Sequence, residues 1–363
     1  MENILIPTNN NGDWKSDGRD KVVVLMSGGV DSAAAALKLK LSGYNVLGLT
    51  MLISKDRTLS DSARDICEYL NIPHFSVDIQ EEFKKRVSSP FREAYILGET
   101  PNPCADCNEQ IKFGHLWDLA ETMWGPSFYM STGHYARILC KGNNYYLAKA
   151  MCAERDQSYF LAGIKKERIN RILFPLGDVH TKEETRNFVR AEGLPVAEKQ
   201  ESMEICFANE KNYRYLLAPS KGGNIINLSG DIIGKHNGIE NFTLGQRKGL
   251  GIAGGKPLYV VKIEHSNNSV TVAERNFAFS KTVRAKNLNV LVQEFLTDKS
   301  CKFLAKTRSQ APLNYCKIIT ANNKQLKIEF EKPTFAPAQG QRLVLYTEDG
   351  IVLAGGVILP RVE

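Results

Sequence analysis

Six consecutive residues, Ser27-Gly28-Gly29-Val30-Asp31-Ser32, have the types and spacing to hold a phosphate. They follow an apolar run, Val22 to Met26, and precede an alanine-rich segment with helical character. A strand, a glycine turn and a helix start present backbone N–H groups and a positive helix end to an anion. Gly28 and Gly29 can take backbone angles closed to other residues and let the anion come close. Ser27 and Ser32 add hydroxyl donors. Asp31 has the wrong sign for such a site unless a cation stands between it and the phosphates, so it implies magnesium. A second group consists of thiols. Cys104 and Cys107 form a C-x-x-C within Thr100-Pro101-Asn102-Pro103-Cys104-Ala105-Asp106-Cys107-Asn108, and Cys206 stands in Ile205-Cys206-Phe207. Two prolines stiffen the first of these segments, and a helix is expected right after it. Cys107 would then lie near a helix N-terminus, where the dipole makes a thiol more acidic and a better nucleophile. Cys67, Cys140, Cys152, Cys301 and Cys316 are read as small apolar residues.

The glycine turn is not a Walker A loop, because no Gly-Lys-Ser/Thr follows it, and it lacks the G-x-G-x-x-G spacing of dinucleotide folds. It resembles the SGGxDS signature of the PP-loop ATP pyrophosphatases, which grip pyrophosphate and adenylate a substrate oxygen.

These residues need a frame. Strand-like segments over 21–26, 45–51, 74–79 and 128–132 alternate with helix-like ones over 32–41, 60–70, 81–97 and 108–124. That order predicts an α/β fold with a doubly wound parallel sheet. Ligands bind such sheets beyond the carboxyl ends of the strands. The turn at Ser27, the Met51 region and Ser131-Thr132-Gly133-His134 all fall there. His134 is read as ordering the strand end or packing beside adenine, not as a base. After about Lys211 the pattern changes. Pro219 to Gly255 is glycine-rich, and from Leu258 onward the chain reads as short strands at 258–263, 269–272, 302–307, 316–319, 325–330, 342–346 and 352–358. Asn267-Asn268, Asn322-Asn323 and Asp349-Gly350 punctuate them. The expected organisation is a disordered lead-in over 1–20, a catalytic domain over 21–211, a small linker-type domain over 212–285 and a C-terminal β-barrel over 286–363.

A chain of 363 residues, 43% hydrophobic and 24% charged, suits two or three globular domains. No apolar run approaches the ~20 residues needed to span a bilayer. The polar N-terminus lacks a signal-peptide core, so a cytoplasmic protein with reduced thiols is expected. The net charge of +7 is compatible with a polyanionic partner.

Taken together, the motifs are similar to those of bacterial tRNA-specific 2-thiouridylases, nearly end to end. Leu25 to Ser32 matches that family's ATP loop and Gly48-Leu49-Thr50-Met51 the next strand end. Thr100 to Asn108 matches the loop with the catalytic cysteine, and Thr132 to Ala136 a nucleotide-side motif. Asp156-Gln157-Ser158-Tyr159-Phe160-Leu161 matches a tRNA-facing motif, Ile205-Cys206-Phe207 the second cysteine, and Phe242 to Leu250 the central domain.

The resemblance implies an adenine nucleotide alpha hydrolase-like PP-loop domain that uses ATP and Mg2+. Leu25, Met26, Ser27, Gly28, Gly29, Val30, Asp31, Ser32, Met51 and Gly133 would bind the nucleotide. ATP would adenylate the 2-carbonyl of the wobble uridine, and a persulfide would then replace the oxygen with sulfur. Cys206 would carry the persulfide and Cys107 would be the other catalytic thiol, able to pair with Cys206 as a transient disulfide. Asn102, Pro103, Cys104, Arg155, Asp156, Gln157, Arg308 and Ser309 would contact tRNA. In Gln246-Arg247-Lys248-Gly249-Leu250-Gly251 two cations suit phosphate contact. Ser309 departs from the aromatic more usual in the family, which removes a base-stacking surface. Cys104 departs too, because the family often carries Asp there with an acid–base role. Three thiols at 104, 107 and 206 alternatively make a ligand set for a [4Fe–4S] cluster with one open iron site. The implied partners are the tRNA anticodon loop and a persulfide sulfur donor such as a cysteine desulfurase or relay protein.

Overall fold

The computed structural model describes the backbone of residues 5–7 and residues 18–199, 205–207, 221–252, 255–296, 302–322 and 324–361. The chain divides into two compact units. The first takes in Met1–Arg86, Asp106–Met203 and Gly350–Val352; the second takes in Val87–Ala105, Glu204–Asp349 and Leu353–Glu363.

The first unit is built on a six-stranded sheet. Its members are β1 (Leu5–Pro7), β2 (Lys21–Leu25), β3 (Asn45–Leu52), β4 (His74–Asp78), β5 (Tyr129–Ser131) and, after a hairpin of β6 (Ala136–Lys141) and β7 (Asn144–Lys149), β8 (Ile172–Leu173). The order is β1-β4-β3-β2-β5-β8. All pairings are parallel except β1, which runs antiparallel to β4. Leu5–Pro7 lies inside the stretch expected to be disordered, yet it adds this edge strand; the rest of the lead-in up to residue 17 falls outside the described residues.

Val22, Val23 and Val24 of β2 are fully buried, as a central parallel strand covered on both faces requires. Helix α1 (Val30–Leu41) follows, and Ala33 to Ala36 are fully buried, because small side chains let the helix lie close on the sheet. Helix α2 (Thr58–Tyr69) joins β3 to β4. From β2 the chain steps one way to β3 and β4, and later the other way to β5 and β8. The carboxyl ends of β2 and β5 therefore flank the switch point, where such sheets open a ligand crevice.

The second unit carries the barrel expected at the C-terminus. A four-stranded sheet comes first: β9 (Gly223–Ile226), β10 (Ile232–His236), β11 (Tyr259–Glu264) and β12 (Ser269–Ala273), in the order β10-β9-β12-β11. It packs on Ile225, Phe242, Val260, Val270 and Val272. Strands β13 (Phe279–Val290), β14 (Phe303–Lys306), β15 (Asn314–Ala321), β16 (Gln325–Phe335), β17 (Arg342–Tyr346) and β18 (Val352–Ile358) then close a barrel. Val283, Ala285, Ile318, Ile328, Phe330 and Leu345 fill it. The sequence reading misses β9, β10 and the 12-residue β13. The boundary expected at residue 211 lies outside the described residues.

Candidate active site

Ser27 to Ser32 leave the end of β2 as a closed turn. Gly28 has φ +69°, a left-handed conformation that suits glycine. A Cβ there would stand 2.7 Å from the Leu59 carbonyl oxygen and 2.9 Å from Ser62 Cβ. Gly29 has an ordinary extended φ of −106° and forms the N-cap of α1, so only one of the two glycines uses its special freedom. Beside Gly29 a Cβ would make only an ordinary contact, with Ser27 Oγ at 3.5 Å, so a side chain is not excluded there. The serines lock the turn. Ser27 N donates to Ser32 Oγ (3.2 Å), and Ser32 Oγ donates to the Gly29 carbonyl (3.0 Å).

The neighbouring strand end completes the arrangement. Gly133 follows β5, and a Cβ on it would lie 2.6 Å from Asp31 C and 2.7 Å from Ser32 N, so only glycine lets the two loops approach this closely. His134 Nδ1 shares a hydrogen bond with Thr132 Oγ1 (2.6 Å), and burial, with Lys112 adding to it, holds the imidazole well below its usual pKa. A neutral ring that orders the strand end agrees with the sequence reading. Met51, at the end of β3, is half-buried. Met26 lies beneath the turn, where Thr50 Oγ1 donates to its carbonyl (3.0 Å).

Two lysines that the sequence reading missed reach this loop. Lys182 Nζ pairs with Asp31 Oδ1 at 2.6 Å, and Tyr135 Oη donates to the same oxygen at 2.9 Å. Lys199 Nζ donates to the Gly28 carbonyl and to Ser62 Oγ, both at 2.9 Å. Asp31 therefore already has a cation beside it, and the step from its charge to a bound magnesium loses its force. One local signal for Lys182 was present: Thr181-Lys182-Glu183-Glu184 is a capping box. Thr181 Oγ1 accepts from Glu184 N (3.2 Å), and Glu184 Oε2 accepts from His180 N (3.0 Å), starting the helix Lys182–Ala191.

Cys107 does not sit at a helix N-terminus. Pro103–Asp106 already forms the first turn, and Cys107–His115 continues it with π geometry. Asn102 caps that turn, its Oδ1 accepting from Ala105 N (3.1 Å), and Pro103 takes the first helical position, where its missing N–H costs nothing. Cys107 follows a full turn later and is 5% exposed, so the dipole argument weakens there. Cys104, in the first turn, is exposed, as is Cys206. Cys140 is also exposed, contrary to its reading as a buried apolar residue, since it lies near the tip of the β6–β7 hairpin; Cys301 lies outside the described residues. Among the described residues no group of three or more His, Cys, Asp or Glu is gathered so as to hold a metal ion.

Two of the residues expected to face RNA have strong internal duties. Gln157 holds the Tyr135 backbone from both sides: its Oε1 accepts from Tyr135 N (2.9 Å) and its N–H donates to the Tyr135 carbonyl (2.8 Å). Asp156 Oδ1 accepts from Ala150 N and Ser158 N, both at 3.2 Å, while its buried Oδ2 has no hydrogen-bond partner. Arg155 is exposed. In the second unit, the half-buried Arg308 donates to the Leu244 and Ala336 carbonyls at 2.6 and 2.7 Å, and Ser309 is half-buried beside it. The Thr100–Asn102 segment is pinned there too, with Gln341 Nε2 donating to the carbonyls of Thr100 (3.0 Å) and Pro101 (3.1 Å). Arg247 and Lys248 are exposed between glycines in left-handed conformations at 245 and 249.

Three family models match in succession: a tRNA methyl transferase HUP domain over residues 20–210, a tRNA methyl transferase PRC-barrel domain over 214–274 and an aminomethyltransferase beta-barrel domain over 280–358. The chain is 39% identical to the tRNA-specific 2-thiouridylase MnmA 1 of Clostridium tetani, over 94% of its own length and 97% of that protein's. It is likewise 39% identical to the tRNA-specific 2-thiouridylase MnmA of Microcystis aeruginosa, over 93% of this chain and 98% of the relative. A glycine turn at the sheet's switch point, two thiol motifs and relatives that run nearly end to end converge: the chain belongs to the tRNA-specific 2-thiouridylase family.

Proposed function

We propose that this protein is an ATP-dependent tRNA 2-thiouridylase acting on the wobble uridine. The observation that carries the reading is the Ser27–Ser32 turn, closed by its own serines at the carboxyl end of β2, in a chain of this family. The uridine 2-oxygen attacks the α-phosphorus of ATP, and pyrophosphate leaves. The oxygen, now an adenylate, has become a good leaving group. The terminal sulfur of a persulfide on Cys206 attacks C2, the C2–O bond breaks and AMP departs. Cys107, as thiolate, attacks the remaining disulfide at the Cys206 sulfur and releases 2-thiouridine. The Cys107–Cys206 disulfide so formed takes two electrons from a thiol reductant before the next cycle.

The Ser27–Ser32 turn, with Leu25, Met26, Met51 and Gly133 around it, binds the nucleotide. Magnesium, when bound, would supply countercharge to the phosphates, while Asp31 Oδ1 is engaged by Lys182 and Tyr135. Asn102, Pro103, Cys104, Arg155, Asp156, Gln157, Arg308 and Ser309 make up the RNA-facing set. In this set Gln157 and Arg308 act by holding backbone in place. The sulfur comes from a persulfide donor protein in the cytoplasm, and persulfide chemistry needs no iron–sulfur cluster.

The test is a reconstitution of the full chain, purified without iron, with ATP, a persulfide donor and a tRNA transcript bearing a wobble uridine. The expected product is 2-thiouridine at that position by nucleoside mass spectrometry, with one AMP per thiolated base. ATP turnover without thiolation would overturn the sulfur-transfer reading, and thiolation only after iron reconstitution would overturn the persulfide route.

A further inference from the structure

A triphosphate site needs positive charge, and the glycine turn has none of its own. Walker loops carry a lysine within the motif; Ser27 to Ser32 carry an aspartate instead. The structure brings two lysines in from far along the chain, and they differ in what they touch. Lys199 donates to a backbone carbonyl of the turn and to Ser62 Oγ. Ser62 Oγ also donates to that carbonyl (3.2 Å), so the Gly28 oxygen is held by two donors. Lys199 braces the turn.

Lys182 is different. Its side chain is only 12% exposed and its ammonium meets the carboxylate of Asp31, in the first turn of α1, where the anion cradle ends. Tyr135 fixes the pair in place. Its ring faces the ammonium, with Nζ 5.7 Å from the ring centroid, its hydroxyl donates to Asp31 Oδ1, and that hydroxyl oxygen lies 2.9 Å from Thr185 Oγ1, one helical turn beyond Lys182. A lysine taken this far out of water costs free energy that one ion pair seldom repays in full. Lys199 is spent on the turn's own backbone, so the placement of Lys182 on a charged group of the motif has a functional explanation.

We propose that Lys182 is the cationic side chain of the nucleotide-phosphate site, with Asp31 and Tyr135 as its positioning residues. The proposal rests on the reading of the turn as an ATP site, and gives Asp31 a purpose that does not require magnesium. Lys182 supplies in trans the point charge that a Walker lysine supplies within its loop, and it acts on the phosphates, not on the adenosine.

The distinguishing experiment measures binding of ATP and of adenosine to the full chain by calorimetry, in magnesium and in EDTA. Lys182→Met is expected to weaken ATP by about tenfold or more, as loss of a charge-assisted hydrogen bond would, while adenosine binding stays unchanged. Lys182→Arg should retain ATP to within about threefold, because the charge remains. Tyr135→Phe keeps the ring and removes only the hydroxyl, so it remains usable if Lys182→Met fails to fold; it should weaken ATP and spare adenosine in EDTA as well as in magnesium. Equal loss of ATP and adenosine, or no loss of either, in these variants would overturn the Lys182 assignment alone. A wild-type chain that binds no ATP would overturn the nucleotide reading and Lys182 with it.

Discussion

Gly28 shows how much of the cradle depends on a single missing side chain. Its left-handed backbone and the 2.7 Å approach of the Leu59 carbonyl leave no room for a Cβ. Gly28→Ala should therefore do more than remove flexibility. It forces a residue with a Cβ into an unfavourable region, costing roughly 1–2 kcal/mol, and pushes the turn off α2. Loss of ATP binding with retained secondary structure, read by calorimetry and circular dichroism, is the expected result. Gly29→Ala, with an ordinary φ and only a 3.5 Å contact to Ser27 Oγ beside it, should be much milder in stability. His74 makes a prediction of another kind. It is 1% exposed in β4, and its Nε2 lies 2.8 Å from Thr50 Oγ1. The Thr50 hydroxyl donates to the Met26 carbonyl, so Nε2 is the donor to Thr50. Burial, assisted by the charge on Arg64, lowers its pKa from 6.5 to about 4. The unfolded chain then binds a proton that the folded chain refuses. Stability is complete above about pH 6.5 and falls between there and pH 4, by on the order of 3 kcal/mol at full protonation. His74→Gln should flatten that part of the stability–pH curve; an unchanged slope would show that another group controls it.

At the scale of elements, the helix Lys182–Ala191 brings one side chain to the loop, and its start is fixed by capping bonds from Glu184 N to Thr181 and from His180 N to Glu184. Thr181→Ala should cost about 1 kcal/mol and raise amide exchange across the first turn about fivefold. ATP affinity should fall with it, because Lys182 is the helix's first residue. The sequence reading missed this helix although Thr181 and Glu184 signal its start, and nothing local signals its target. Asp31 is 151 positions away, and no local pattern connects the two. The opposite holds for the cradle itself. Its turn, strand and helix are contiguous, so residues 22 to 41 disclosed both the geometry and the chemistry. Cys107 falls between these cases. Asn102-Pro103 is a cap followed by a proline at the first helical position, and that signal puts the helix start before Cys104, a turn earlier than its proline-rich appearance suggests. Strand β13 was hidden for another reason. Lys281, Arg284, Lys286 and Asn287 make Phe279–Val290 look like a polar connection, yet Val283 and Ala285 point into the barrel core while the charged residues face out. In a closed barrel one apolar residue in two suffices, and alternation this sparse is easily read as loop.

At the scale of the molecule, the excess of cations over anions, 47 against 40, is too small to announce an RNA-binding protein by itself. What matters is which cations can meet phosphate. Many lysines and arginines are engaged within the fold, as Arg168 is with Asp118, Lys317 with Glu329 and Arg308 with backbone carbonyls. Arg247 and Lys248 are placed differently. Gln246 ties their loop by accepting from Thr243 N (3.1 Å) and donating to the Lys248 carbonyl (3.0 Å), and both side chains stay exposed. A loop made rigid by its own backbone and holding two cations outward suits sequence-independent phosphate contact. Binding of tRNA should therefore weaken steeply with salt, with a slope that counts the phosphates neutralised. Arg247→Ala combined with Lys248→Ala should weaken binding at low salt and lower the magnitude of that slope by about 1.5–2. The ATP affinity should be untouched, because the nucleotide cradle belongs to the first unit and this loop to the second. A parallel downward shift with no change of slope would mean that the loop acts on RNA through shape, not charge. An unchanged slope and affinity together would move the electrostatic contact to other exposed cations.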